Sequence, residues 1–215
     1  MNRFVDSTLN TQYTVPTRSN MQGTRSLFLF LALTAGVCSA QSAPPKAQTK
    51  SDYSKGTASF VSNAEIGAVL ATAATNAVAD NVLRVLPIDG EYNVGVSVVR
   101  RLKVNGRTPP DAILHHDVTE IYHVLTGSGV LVTGGTIAGE TELPSDDPVV
   151  RTLIGPSAVG EVIAGGTRQH VGPGDVVIIP PNTAHGFVEI TSEQITYLLV
   201  RVDPHRVLAQ HDRTP

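Results

Sequence analysis

From Asn81 to about residue 205 the chain is a succession of short Val- and Ile-rich runs, cut at frequent intervals by glycine and proline. Within each run apolar and polar residues alternate, and a period of two places successive side chains on opposite faces of an extended strand. Strands this short and this numerous must close on one another, which predicts an all-β sandwich or barrel. Strands are expected over residues 82–86, 92–100, 120–125, 129–133, 175–179, 186–190 and 195–203. Turns are expected at Gly127-Ser128-Gly129, Gly134-Gly135, Gly165-Gly166 and Gly172-Pro173-Gly174-Asp175. With five Phe, five Tyr and no Trp, the core has to be built mainly from aliphatic side chains. Residues 137–163, with Pro144, Pro148 and Pro156, read as an irregular excursion between strands, of the kind that serves as a lid or binding loop.

The 215 residues allow one domain plus appendages. Leu27 to Val37 is an apolar run preceded by Arg25 and closed by Cys38-Ser39-Ala40, the pattern of a secretory signal cleaved after Ala40. It is shorter than a bilayer span requires. Met21 stands directly before it, so translation starts at Met1 or at Met21. The expected organisation is an N-terminal extension with signal peptide over 1–40, a flexible linker over 41–56, a helical segment over 57–80, the barrel over 81–205 and a polar tail over 206–215. Within the helical segment, Ser62-Asn63-Ala64-Glu65 is a capping box, and Ile66, Val69, Leu70, Ala73 and Ala77 recur at helical spacing, predicting one amphipathic helix over residues 63–78. The expected location is periplasmic or secreted, with no membrane attachment once the signal is removed. Cys38 is the single cysteine and leaves with the signal, which excludes disulfides and thiolate metal ligands from the mature chain. The net charge is −3, the basic residues are scattered and no aromatics interleave them, so a nucleic-acid surface is not expected.

Against this strand pattern stand two polar constellations. The first is His115-His116-Asp117-Val118-Thr119-Glu120, and the second is His185 at the end of Pro180-Pro181-Asn182-Thr183-Ala184-His185. Imidazole nitrogens with one carboxylate suit a divalent cation. They can occupy one face of an iron, or make three of the four ligands of a zinc with water as the fourth. The plain alternative is that these are loop histidines and a strand-end charge. Phosphate-cradling and serine-nucleophile chemistries fail on context. Gly134-Gly135 and Gly165-Gly166 do not open helices after strands, and Ser128 lacks the spacing of a nucleophile elbow.

Residues 80–204 resemble a cupin, a small single-domain bacterial barrel of the jelly-roll class. His115, Glu120 and Gly127, with Tyr122 and Val124 at hydrophobic positions, are similar to the first cupin motif. Gly174-Asp175-Val176-Val177-Ile178-Ile179-Pro180 through His185 is similar to the second. The resemblance implies a divalent metal (Fe, Zn or Mn) held by His115, Glu120 and His185. It departs from the family pattern at one ligand. The position two before the motif histidine is Ile113 or Leu114 rather than histidine, which leaves adjacent His116 second in line. Glu189 stands where the second motif usually ends in Asn.

The implied function is a metal-dependent enzyme of dioxygenase, lyase or isomerase type acting on a small organic molecule. The alternative is a non-enzymatic module binding a sugar or organic acid with structural or no metal. A homodimer is the default expectation. Glu120 as a ligand cannot also serve as general base, so Tyr122 and His116 are the candidate catalytic residues. His123 is out of phase with Glu120, Tyr122 and Val124 and is expected to face away. His170, His205 and His211 are expected at the surface. Arg100, Arg101, Arg151 and Arg201 are either surface charges or anchors for a substrate carboxylate.

Overall fold

The computed structural model describes residues 58–73, 77–103 and 112–212. The expected signal and linker lie outside the described residues. The chain forms the expected all-β jelly-roll barrel, with one helix before it. That helix, α1 (Asn63–Thr72), is capped by Ser62, whose hydroxyl accepts the Glu65 amide at 3.0 Å. It is shorter than the expected 63–78, and a strand already begins at Val78. The Glu65 carboxylate does not reach back to the cap. It takes two bonds from the buried Arg84 guanidinium, at 2.7 and 3.1 Å. At the other end Arg100 donates to the carbonyls of Leu70 and Ala73, satisfying acceptors that a helix terminus leaves open. Val69 packs with Leu83 and Val98 and pins the helix to the outside of the barrel.

One sheet holds β1 (Val78–Ile88), β2 (Tyr92–Leu102), β4 (Thr119–Thr126), β11 (Val176–Ile179), β13 (Gln194–Asp203) and β14 (His211–Asp212). Its order is β11-β4-β13-β2-β1-β14. The other holds β3 (Ala112–His115), β5 (Gly129–Thr133), β7 (Thr141–Glu142), β8 (Ser157–Gly160), β10 (Thr167–Val171) and β12 (His185–Ile190), in the order β10-β5-β12-β3-β8-β7. All the strand pairings are antiparallel, and a small ribbon pairs β6 (Thr136–Ala138) with β9 (Val162–Ala164). The main core lies between the two sheets. Tyr122, Val124, Tyr197 and Leu199 from the first meet Leu131, Val171, Phe187 and Ile190 from the second. Each large apolar side chain so buried contributes roughly 1.5–3 kcal/mol. Tyr122 and Tyr197 stack at 4.5 Å between ring centroids.

Two expectations are corrected here. The segment 137–163 is not an irregular loop, since it supplies β6 to β9 and one π-helical turn, Val150–Ile154. Val149, Val150, Leu153 and Ile154 of that turn pack against Val82, Ile113 and Leu143, so it closes one side of the barrel rather than hanging over it. Nor is 206–215 merely a polar tail. Leu208 is buried, and β14 pairs with β1 through Arg84–Asp212 and Val85–His211.

The turn between β4 and β5 depends on Gly127, where φ is +75° and a Cβ would run into the Gln194 carbonyl. Gly127→Ala is therefore expected to lower the unfolding free energy by about 2 kcal/mol. Urea denaturation with an unchanged slope measures this. A loss below about 0.5 kcal/mol would show that the turn relaxes without strain.

Candidate metal centre

Strand parity decides which side chains reach the interior. On β4, Glu120, Tyr122 and Val124 are buried while His123 is exposed, as the alternation predicts. His115 is the last residue of β3 and His185 the first of β12, and these strands are neighbours in the second sheet. Glu120 comes across from the first sheet. His115, Glu120 and His185 each offer one ligand atom within 4.8 Å of the others, and all three are buried. His115 Nε2 lies 3.3 Å from Glu120 Oε1, and His185 Nε2 lies 3.3 Å from Glu120 Oε2.

Hydrogen bonds on the far side of each ring set the protons. Ser157 Oγ donates to the Gly155 carbonyl at 2.8 Å, so it accepts from His115 Nδ1–H, also at 2.8 Å. His185 Nδ1–H donates to the Thr183 carbonyl at 2.9 Å. In a neutral ring one nitrogen carries the proton and the other a lone pair. Both Nε2 lone pairs therefore point at the Glu120 carboxylate. His185 Nε2 is buried without a hydrogen-bond partner among the described residues. Three acceptors facing each other repel unless a cation sits among them.

The two histidine–glutamate spacings of 3.3 Å, one to each carboxylate oxygen, suit such a cation. Bonds of about 2.1 Å to nitrogen and oxygen set neighbouring ligand atoms roughly 3.0–3.4 Å apart in octahedral or tetrahedral geometry. Charge agrees. Glu120 and Asp80 share the single guanidinium of Arg201, leaving this group one negative charge in excess.

Burial on its own would push the Glu120 carboxyl up, but the charge of the Arg201 guanidinium beside it holds it well below the usual carboxylate range. Burial dominates at His115 and lowers its pKa despite the nearby carboxylate, which favours the neutral, lone-pair form. Glu120 is fixed from outside as well. Arg201 Nε donates to Oε1 at 2.9 Å and the Tyr122 hydroxyl donates to Oε2 at 2.9 Å. Such outer hydrogen bonds orient a ligating carboxylate.

His116 does not join the cluster. Its Nδ1 bonds Asn182 Oδ1 at 2.9 Å and its Nε2 bonds Glu142 at 3.0 Å, so two acceptors take both ring protons. Those bonds, that to Asn182 first, raise its pKa. With both ring nitrogens engaged by Asn182 and Glu142 rather than facing the cluster, His116 is removed as reserve ligand. Asn182 adopts φ +58° at the Pro-Pro corner, and its amide donates to the His115 carbonyl at 2.7 Å, fixing the outward turn. Burial raises Tyr122 well above its ordinary pKa, with the Glu120 charge adding to it. It is a proton donor at this site and cannot serve as the base. Arg201 bonds Glu120, and Arg101 donates to the Tyr197 hydroxyl at 2.8 Å. His170 is exposed, while His205 lies 3.9 Å from Asp117.

Ser157, Asp80 and Asn182 went unnoticed in the sequence. Ser157 was detectable only through its register opposite His115. Ile113, two residues before His115, packs against the apolar cluster of the π-helical turn.

Acid should weaken this centre. His115 is held below 6.5, so unfolding takes up a proton as pH falls below about 6.5, and stability is lost in that direction. The depressed Glu120 pKa acts with the same sign but only in strong acid. Thermal unfolding of chelator-treated protein between about pH 5 and 8 is expected to show a falling midpoint from about pH 6.5 downward. The fall should flatten in His115→Gln. A flat wild-type profile would contradict the neutral assignment.

Comparison with known proteins bears on the second half of the barrel. The family described as an AraC-like ligand binding domain matches residues 159–215. No curated protein matches the chain in sequence. Among solved structures, the chain is similar to KdgF from Halomonas sp., at 13% identity over 60% of this chain and 82% of that one, with a TM-score of 0.37. A double-stranded β-helix protein from Klebsiella pneumoniae is 14% identical over 65% of this chain and 89% of its own, with a TM-score of 0.40. The Fe(II) form of HppE is 13% identical over 60% of this chain, with a TM-score of 0.37, and the chain spans 52% of its length.

Proposed function

We propose that this chain, a cupin barrel, is a secreted or periplasmic protein that holds one divalent cation on His115, Glu120 and His185 and acts on a small organic molecule. The observation that carries the reading is the convergence of two imidazole lone pairs on a buried carboxylate, with both tautomers set by Ser157 and Thr183. With three protein ligands, a bound metal would supply Lewis acidity through its open positions. The chain's own residues then have separate tasks. Arg201 and Tyr122 hold Glu120 in place, and Tyr122 keeps its proton beside the carboxylate. The surrounding apolar side chains exclude water. His116 is turned to the rim, where a substrate acid could meet its charge.

A second reading, a non-enzymatic binding module, is favoured by one observation. Arg201 already places a cation on Glu120, which supports a cluster that holds its shape without metal. The two separate on metal content and turnover. After incubation with Fe(II), Mn(II) or Zn(II) and desalting, the wild type is expected to retain about one equivalent of one of them. His185→Ala and Glu120→Gln are each expected to lose at least about 90% of it, a tenfold weakening or more. Retention of no metal by the wild type would sink the metalloprotein reading. Stoichiometric metal without turnover of any substrate that binds would favour the module.

Export rests on the sequence from Arg25 to Ala40, and dimerisation on the exposed Val176 and Ile178 of β11, an edge strand. Protein recovered from a periplasmic fraction is expected to begin at Gln41 and to scatter light at twice the chain mass. A retained Leu27–Val37 segment, or a monomer at high concentration, would count against each in turn.

A further inference from the structure

Beside the cluster, on the β1 side of the barrel, opens a cavity of about 190 Å³. Asp80 and Val82 of β1, Thr152 and Leu153 of the π-helical turn, Ala209 and Gln210 ahead of β14, and His211 of β14 line it. Asp80 and Val82 share the inward face with Ser97, to which Val82 is registered.

The Asp80 side chain is 8% exposed, and its Oδ2 accepts from Arg201 Nη2 at 2.7 Å. Its Oδ1 is buried with no hydrogen-bond partner among the described residues. A buried carboxylate oxygen left open beside a cavity asks for a donor from a ligand. The Thr152 hydroxyl donates to the Pro148 carbonyl at 2.7 Å, so toward the cavity it offers lone pairs only. Gln210 adds a side-chain amide, whose oxygen can accept, to the lining. Val82, Leu153 and Ala209 add apolar surface, and the His211 imidazole completes the wall. The guanidinium that neutralises Asp80 is shared with Glu120, so the carboxylate is undercompensated.

We propose that this cavity is a binding site for a small alkylammonium. Its N–H groups bond Asp80 Oδ1, Thr152 and Gln210, and its short chain lies on Val82 and Leu153. A cavity of about 150 Å³ holds a benzene, so the space accepts roughly six to eight non-hydrogen atoms. Ala209 and Gln210 are exposed, which gives the ligand a way in. The site does not depend on a metal at His115, Glu120 and His185, and its test is run without one.

Calorimetric titration of chelator-treated full-length chain with n-butylammonium is expected to show saturable binding at one site. n-Butanol should bind at least about tenfold more weakly, and butyrate not at all. Asp80→Asn is expected to weaken butylammonium about tenfold or more. Because Asp80 also holds Arg201, two variants that leave the ion pair alone carry the argument. Thr152→Val should weaken binding and Ala209→Phe should abolish it, each with wild-type thermal unfolding. Butanol binding as tightly as butylammonium, unchanged binding in Ala209→Phe, or no binding of any of the three compounds would overturn the proposal.

Discussion

A single guanidinium makes the polar interior of this barrel tenable. Arg201 on β13 reaches Glu120 at 2.9 Å, Ser97 at 3.2 Å and Asp80 at 2.7 Å. Withdrawing one carboxylate from water costs several kcal/mol even after relaxation. Two buried carboxylates with no cation between them would take up protons instead. The planar fork of arginine can face three partners in different directions, which a lysine ammonium on a flexible stem does not reproduce. Arg201 is placed by register alone: it stands opposite Glu120 on β4 and Gly95 on β2, and Gly95 carries no side chain to crowd it.

Glu120 is thereby held from both sides. One oxygen takes Arg201 and the other takes Tyr122, yet a carboxylate has about four lone-pair sites. The remaining ones face the two imidazoles. Ionisation, orientation and the approach of the rings have separate causes here: the Arg201 charge, the Tyr122 hydroxyl, and the backbone carbonyl and serine behind the histidines. Beside His115, Ile113 of the same strand packs with Leu153 and Ile154 of the π-helical turn, so hydrocarbon borders the cluster on that side.

Much of this could be read in the sequence because it follows from alternation. Strand parity put Glu120 and Tyr122 inward and His123 outward, and seven expected strands correspond to observed ones. Where local pattern competes with tertiary contact, the sequence misled. The helical pattern in the sequence runs on to Val78, yet Val78 pairs with Arg101 and opens a strand. The proline-bearing excursion looked like a loop because its strands are two to four residues long and its turn is a single helical one. His116 could not be told from His115 by spacing. What separates them is Asn182, 66 positions away, whose side chain captures the His116 ring. Arg201 looked like any other strand arginine until its partner on the neighbouring strand was known.

Asp80, His115, Glu120, His185 and Arg201 lie on five different strands, and the chain between first and last is more than half its length. No local segment can assemble any part of this group beyond the His115–Glu120 pair. The charges meet only once β1, β4 and β13 have zipped into one sheet and β3 and β12 into the other. Closing such long loops is slow, and the entropy of closure precedes the reward of contact. The polar group therefore acts as a lock on the finished barrel rather than as a seed for it. Whatever cation or ligand it holds binds the closed state over the open chain, and so slows the barrel's opening.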